Sequence, residues 1–274
     1  MQIQTSTPHR ILVTGGTSGL GAEIVKLFLS KGWNVTATGR NTVSFPQYAE
    51  LFRFVRIDFA DLGDVARHAL EMTVDGEGFD LVVNNAGMLG FPNRVLTTDG
   101  LEYTFQVNFL AHLLLNEIII RNKKDSHPLK IVPVLSPVYR CCSLKNLQSL
   151  IGERYGSFRS YSLSKFYLAL MCSYLTSKYP RSDVSLSGFN PGVFRSGISR
   201  TRGHLFRFLY SIAAPFMYNP ARIAERFEEV SARDEPMNGF IYSRSGSRKK
   251  APVAGNDSAG AFWKMCYDKI DRYL

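Results

Sequence analysis

A glycine-rich turn between the first β-prone run and the first helix-patterned run constrains this chain more than any other feature. Residues 10–14 (RILVT) form a short apolar run, and Thr14-Gly15-Gly16-Thr17-Ser18-Gly19-Leu20-Gly21 follows it directly. Ile24, Val25, Leu27 and Phe28 then recur at helical spacing over 22–30. The alternation continues down the chain. Runs 34–39, 52–57, 79–83, 130–135 and 183–189 are β-prone, and helix patterns cover 61–72, 99–121 and 160–178. A closing amphipathic helix is predicted over 258–273, and 243–256 reads as a basic surface loop. This order predicts an α/β fold, a single doubly wound parallel sheet with helices on both faces. No linker, repeat or low-complexity tract divides residues 1–274, so one domain is expected. The most irregular stretch, near 193–218, interleaves aromatics with Arg195, Arg200, Arg202 and Arg207 and is expected to be a variable segment over the substrate.

The 274 residues are 45% hydrophobic and 20% charged, which supports a sizeable core and excludes wholesale disorder. Lys and Arg number 33 against 23 Asp and Glu, a formal net charge of +10. Such a balance suits an anionic partner, either a phosphorylated cofactor, an acidic substrate, a membrane surface or nucleic acid. No recognisable nucleic-acid motif accompanies the charge, so no nucleic-acid partner is expected. The most apolar run, 109–120, is broken by Asn116 and Glu117 and is too short to span a bilayer, so no transmembrane segment is expected. Residues 1–9 carry no apolar leader. Cys141, Cys142, Cys172 and Cys266 form no CxxC pair and have no histidine cluster beside them. That spacing predicts no metal site and a reducing, cytoplasmic setting.

The glycine turn carries a chemical expectation. Gly15 can turn tightly without a Cβ, Gly19 lets backbone approach a pyrophosphate, and Gly21 lets the helix pack close. The helix N-terminus then offers unpaired N–H groups to phosphate. Where the second strand ends, the run Thr38-Gly39-Arg40-Asn41 has no acid for a ribose 2′-hydroxyl and supplies a guanidinium instead. Arg40 can bind a 2′-phosphate by paired charged hydrogen bonds, so NADP(H) is expected to be preferred over NAD(H). A plain surface charge is the competing reading of Arg40.

Tyr161 and Lys165 stand four residues apart at the start of a predicted helix, on one face. An ammonium beside a phenol favours phenolate and lowers its pKa. Alone, Tyr-x-x-x-Lys is a common chance spacing. Here it follows, in order, the glycine motif, Asp58, Asn84-Asn85-Ala86-Gly87, Asn108 and Ser136, and precedes Pro191-Gly192. With this set the sequence resembles the short-chain dehydrogenase/reductase family over about residues 10–196. Its run Thr98-Asp99-Gly100-Leu101-Glu102 leading to Val107-Asn108, and the long interval from Ser136 to Tyr161, are most similar to the retinol-dehydrogenase-like branch.

The resemblance implies a Rossmann fold with a cofactor half at about 10–135 and a catalytic and substrate half at about 136–274. It implies Tyr161 as general acid/base, with Lys165 lowering its pKa and bonding the nicotinamide ribose. Ser136 would hold the substrate oxygen, and Asn108 would anchor a water of the proton path. Cofactor contacts are implied for Gly15, Thr17, Ser18, Gly19, Leu20, Gly21, Asp58, Asn85, Ala86, Gly87, Tyr161, Lys165, Pro191, Gly192, Val193 and Ser196. The chain departs from the family in one place, since Leu135-Ser136-Pro137 leaves one serine where two are common, and Pro137 holds Ser136 extended. Met88, Leu89, Phe91, Val138, Tyr139 and Phe158 are candidate substrate residues, an apolar set suited to a lipophilic carbonyl or alcohol. Family habit implies a possible homo-oligomer through the 99–121 and 160–178 helices.

These residues predict an NADPH-dependent carbonyl reductase, formally reversible as an alcohol dehydrogenase. Two alternatives stay open: the same cleft recruited to non-redox isomerisation, dehydration or cyclisation, and an NADP(H)-binding regulatory protein.

Overall fold

The computed structural model describes residues 9–74, 78–124, 127–143, 155–180, 183–192, 218–233, 238–253 and 257–274. Val193, Ser196 and the rest of 193–217 therefore lie outside the described residues. The strands are β1 (Arg10–Val13), β2 (Asn34–Gly39), β3 (Phe52–Arg56), β4 (Leu81–Asn84), β5 (Leu129–Pro133), β6 (Val184–Asn190), β7 (Phe240–Ser243) and β8 (Arg248–Lys250). They form one sheet in the order β3-β2-β1-β4-β5-β6-β7-β8. All neighbours are parallel except β7 and β8. The order reverses between β1 and β4, and in open α/β sheets ligands bind at that switch, beyond the carboxyl ends of the strands.

The helices are α1 (Gly19–Ser30), α2 (Leu62–Glu71), α3 (103–122), α4 (Ser157–Lys178), α5 (Pro220–Ser231) and α6 (Asp257–Ile270). Central strands buried on both faces read as continuous apolar runs, and Leu81, Val82 and Val83 are each 3% exposed or less. Alternate residues feed two cores. Ile11, Val13, Val83 and Phe189 pack beneath α1 and α5, while Leu12, Val82 and Leu186 pack beneath α2, α3 and α4. Asp61 caps α2 by accepting the Asp64 N–H at 3.0 Å. No helix of the described residues is long and apolar enough to cross a membrane.

Two parts of the sheet differ from the sequence expectation. The 243–256 segment is not all surface loop, because Arg248–Lys250 pairs with β7 as an edge strand. β7 and α5 lie in a stretch where no element was predicted. The predicted 99–121 helix begins at Tyr103, with Glu102 capping it by accepting the N–H groups of Thr104 and Phe105.

α6 closes the outer side of α3 and α4. Trp263 stacks on Tyr174 at 3.9 Å between ring centroids, and Phe262 stacks on Tyr167 at 4.6 Å. The fully buried Glu117 of α3 accepts from Lys178 Nζ at 2.9 Å, from the Tyr179 hydroxyl at 2.7 Å and from the Tyr267 hydroxyl of α6. A buried carboxylate is tolerable only with such a full set of donors.

Candidate active site

Thr14, the last residue before the glycine turn, organises the switch-point crevice. Its Oγ1 accepts the N–H groups of Asn85 and Ala86, each at 2.9 Å. Asn85 returns the contact through Nδ2, which donates to the carbonyls of Thr14 and Gly15 at 2.9 and 3.1 Å. The turns after β1 and β4 are thus locked together. Their closeness demands glycine: a Cβ on Gly15 (φ +64°) would fall 2.8 Å from Ala86 Cα, and one on Gly21 would fall 2.3 Å from the Gly15 carbonyl oxygen. Gly19 (φ +56°) is different, since a Cβ there would meet nothing within 4 Å. The space beside Gly19 is open, and the Ser18 side chain makes no capping bond to α1. Uncapped helix N–H groups facing open space fit the phosphates of a dinucleotide.

Arg40 and Asp58 end adjacent strands at one flank of this crevice, and both are exposed. Asp58 Oδ1 accepts the Ala60 N–H at 3.0 Å. Tyr103, not singled out from the sequence, interacts with both: burial and the Asp58 charge raise its pKa, and the Arg40 guanidinium opposes them. Thr17 lies against Gly39, where a Cβ would come within 2.7 Å of its methyl group. Leu20 is buried in the core under α1.

The other side of the crevice holds the catalytic candidates. Residues Gln106–Leu110 form a wide π turn within α3, and such turns recur at functional sites. Asn108 sits in it, 0% exposed. Its Oδ1 accepts the Met88 N–H at 2.8 Å, and its Nδ2 donates to the Met88 carbonyl at 2.9 Å and to Ser164 Oγ at 3.0 Å. Asn108 therefore ties the turn after β4 to α4, one residue from Lys165. Its backbone carbonyl faces His112 Nδ1 at 3.1 Å, and His112 Nε2 faces Thr14 Oγ1 at 2.9 Å. Burial pushes the His112 pKa down to about 3. The ring is neutral, so Nδ1 donates to the carbonyl and Nε2 accepts from the threonine hydroxyl.

Lys165 is 4% exposed and donates from Nζ to the Val134 carbonyl at 2.8 Å. Burial lowers its pKa to about 8. Its ammonium lies 5.9 Å from the Tyr161 ring centroid, and a Cβ on Gly87 would come within 3.7 Å of it. Ser136 has the extended backbone that Pro137 imposes (φ −150°, ψ 151°). Its hydroxyl bonds the Tyr161 hydroxyl and favours phenolate, but burial outweighs it and raises the Tyr161 pKa. The expected lowering by Lys165 is not seen here, because that ammonium is turned to the Val134 carbonyl. Pro191 and Gly192 (φ +74°) continue β6, which neighbours the strand leading to Ser136.

Ser136, Tyr161, Lys165 and Asn108 thus come together around the ends of β4, β5 and α4. Among the apolar substrate candidates, Leu89 and Tyr139 are largely buried, while Phe158 is 60% exposed one helical turn before Tyr161. The hydroxyl pair can hold a carbonyl oxygen and move a proton to it, and the glycine crevice can hold a dinucleotide. Among the described residues no group of three or more His, Cys, Asp or Glu could hold a metal.

The family model described as short chain dehydrogenase matches residues 9–204. The chain is 26% identical to retinol dehydrogenase 13 of Mus musculus over 258 residues, covering 88% of this chain and 77% of that protein. It is 29% identical to retinol dehydrogenase 14 of Homo sapiens over 213 residues, covering 69% of this chain and 63% of that one. Among solved structures, a short chain dehydrogenase of Shigella flexneri complexed with NADP superposes with a TM-score of 0.67 at 21% identity, over 86% of this chain and 97% of that one. A short-chain dehydrogenase of Streptomyces avermitilis gives a TM-score of 0.67 at 17% identity, over 98% and 96%.

Proposed function

Because the chain belongs to the short-chain dehydrogenase family, we propose that it is an NADPH-dependent carbonyl reductase of lipophilic small molecules. The observation that carries this reading is the Ser136–Tyr161 hydroxyl pair beside Lys165, facing a glycine crevice shaped for a dinucleotide. When bound, the nicotinamide supplies the hydride. The protein's task is to hold the carbonyl, neutralise the charge that grows on its oxygen, and give that oxygen a proton. Ser136 holds the oxygen. Tyr161 donates the proton, and its raised pKa keeps it protonated, which suits reduction. Lys165, whose ammonium bonds the Val134 carbonyl in this structure, would turn toward Tyr161 to stabilise the tyrosinate left behind and would bond the nicotinamide ribose. Asn108 fixes the position of α4 and of the turn after β4, and from there it would anchor a water of the proton path.

Gly15, Thr17, Ser18, Gly19, Leu20 and Gly21 would cradle the pyrophosphate, and Asn85, Ala86 and Gly87 would line the cleft. Asp58 would bond the adenine. Pro191 and Gly192, with Val193 and Ser196 beyond them, would meet the carboxamide end. Arg40, held by Tyr103, would take the 2′-phosphate, and the absence of an acid after β2 supports NADPH over NADH. The retinol dehydrogenases among the relatives support a lipophilic substrate. The four free cysteines support a reducing, cytoplasmic setting.

The test follows reduced-nicotinamide absorbance with purified protein, NADPH or NADH, and a panel of aliphatic, aromatic and isoprenoid carbonyls. NADPH oxidation that Tyr161→Phe abolishes is expected. Arg40→Ala should weaken NADPH by about tenfold or more, the worth of a charged phosphate contact, and leave NADH little changed. Substrate conversion with no change in absorbance would replace reduction by non-redox chemistry.

A further inference from the structure

The excess positive charge of the chain is concentrated. Residues 184–224 and 236–256 together hold seven arginines, two lysines and no aspartate or glutamate, so nine of the ten excess charges lie there. The described residues of these stretches include β6, β7 and β8. Arg244, the residue after β7, stands out among them.

Strand register fixes where Arg244 sits. Val134 pairs with Phe189, and Asn190 pairs with Ser243, so Ser136, Pro191 and Arg244 end three neighbouring strands at one level. The Arg244 N–H donates to the Asn190 carbonyl at 3.2 Å. At about 4.8 Å per strand, its backbone lies about 10 Å from Ser136, a gap that a long arginine side chain narrows. The guanidinium is not loose. Its carbon lies 3.4 Å from the Tyr218 ring centroid, and Nη2 donates to the Tyr218 hydroxyl at 2.6 Å. A Cβ on Gly192 would come within 3.2 Å of Nε. A guanidinium stacked by one face keeps in-plane N–H groups for a carboxylate, and a held fork loses less entropy on binding. Among the described residues Arg244 has no carboxylate partner, and the chain between Gly192 and Tyr218 contains no acid that could supply one.

The cofactor's phosphates do not answer this charge. The glycine turn follows β1, four strands away, and Arg40 follows β2, five strands away, or about 20 Å and more at the same spacing. We propose that Arg244 is a specificity-determining residue that binds a carboxylate on the substrate, remote from the carbonyl that Tyr161 reduces. The substrate class is then a lipophilic oxo-acid. This deepens the reductase reading and rests on it.

The test compares kcat/KM for a medium-chain ω-oxo carboxylic acid and its methyl ester in the wild type, Arg244→Ala, Arg244→Gln and Arg244→Lys. The wild type should favour the acid by about 10- to 100-fold, the worth of a charged hydrogen bond. Arg244→Ala and Arg244→Gln should lose that ratio, and Arg244→Lys should keep part of it. Arg244→Gln retains length and packing, so it reports on charge if the alanine variant fails to fold. A ratio near one in the wild type, or a ratio unchanged in Arg244→Gln, overturns the proposal. So does a tenfold weakening of NADPH in Arg244→Gln, which would assign the arginine to the cofactor. Fluorescence titration of an unreactive fatty dicarboxylate onto the NADP complex reads Arg244 without turnover. Failure of the reductase reading would therefore appear separately, as carboxylate binding that depends on Arg244 without oxidation of NADPH.

Discussion

His112 Nε2 lies 2.9 Å from Thr14 Oγ1, and this one contact joins the π turn of α3 to the glycine turn after β1. The neutral imidazole donates from Nδ1 to the Asn108 carbonyl and accepts at Nε2, whereas a charged ring would bring a third donor to Thr14 Oγ1, which already accepts the Asn85 and Ala86 N–H groups.

Acid should break this link. The His112 pKa is about 3 in the fold and about 6.5 in an unfolded chain. Between those values the unfolded chain binds the extra proton, so stability falls as pH drops through that window. Urea denaturation should show a loss of about 2 kcal/mol from this residue between about pH 7 and pH 5. His112→Gln should flatten that limb of the stability curve. An unaltered acid limb in His112→Gln would exclude this residue as its origin.

Lys165 carries the same sign at higher pH. Burial holds its pKa at about 8 against the usual 10.5, so the unfolded chain binds the proton more tightly. Wild-type stability should therefore rise with pH between those two values, and keeping Lys165 charged at neutral pH costs about 3 kcal/mol. Lys165→Met should abolish reductase activity while raising stability by about 1–3 kcal/mol, allowing for the lost bond to the Val134 carbonyl. Denaturation midpoints at neutral pH measure the gain.

Two glycines of the turn should fail in different ways. Gly21→Ala drives a methyl group into the Gly15 carbonyl and the Asn85 amide, so it should lose several kcal/mol and cofactor binding together. Gly19→Ala meets no protein atom and bears only its positive φ, about 1–2 kcal/mol, yet it narrows the open space beside it. That variant should stay folded by circular dichroism and bind NADPH at least tenfold more weakly in a fluorescence titration.

Trp263→Ala should cost about 3–5 kcal/mol, since the indole is 5% exposed and stacked on Tyr174. Thermal melts would register it as an earlier transition. NADPH affinity in the folded fraction should stay near that of the wild type, because Trp263 packs on the outer side of α3 and α4 while the glycine turn is held by Thr14 and Asn85.

The sheet and most of the crevice were legible because they rest on local pattern. Apolar runs mark β1 to β6, and the glycine spacing marks the tight turn after β1. β8 was hidden, since Arg248, Lys249 and Lys250 show no alternation and become a strand only by pairing with β7. The π turn was hidden too, as its width depends on what Asn108 and His112 bond across the fold. Tyr103 and His112 carry no motif of their own: one acts through Arg40 and Asp58, which lie distant in sequence, and the other looks like a lone histidine on an apolar helix. The pairing of Tyr161 with Lys165 was readable as a spacing, but the direction of the Tyr161 pKa was not, because burial decides it and the Lys165 ammonium is turned to the Val134 carbonyl.

Glu117 gives the carboxyl-terminal helix a significance beyond packing. Of its partners, the Tyr267 hydroxyl comes from α6 while Lys178 and Tyr179 come from the end of α4, so the docked tail completes the shell around this side chain. Trimming the last turns by a protease would take one donor from Glu117 and bare the Phe109, Tyr167 and Tyr174 rings at once. The clipped chain would carry an adhesive aromatic surface on α3 and α4, so the docked tail works as a cover against unintended association.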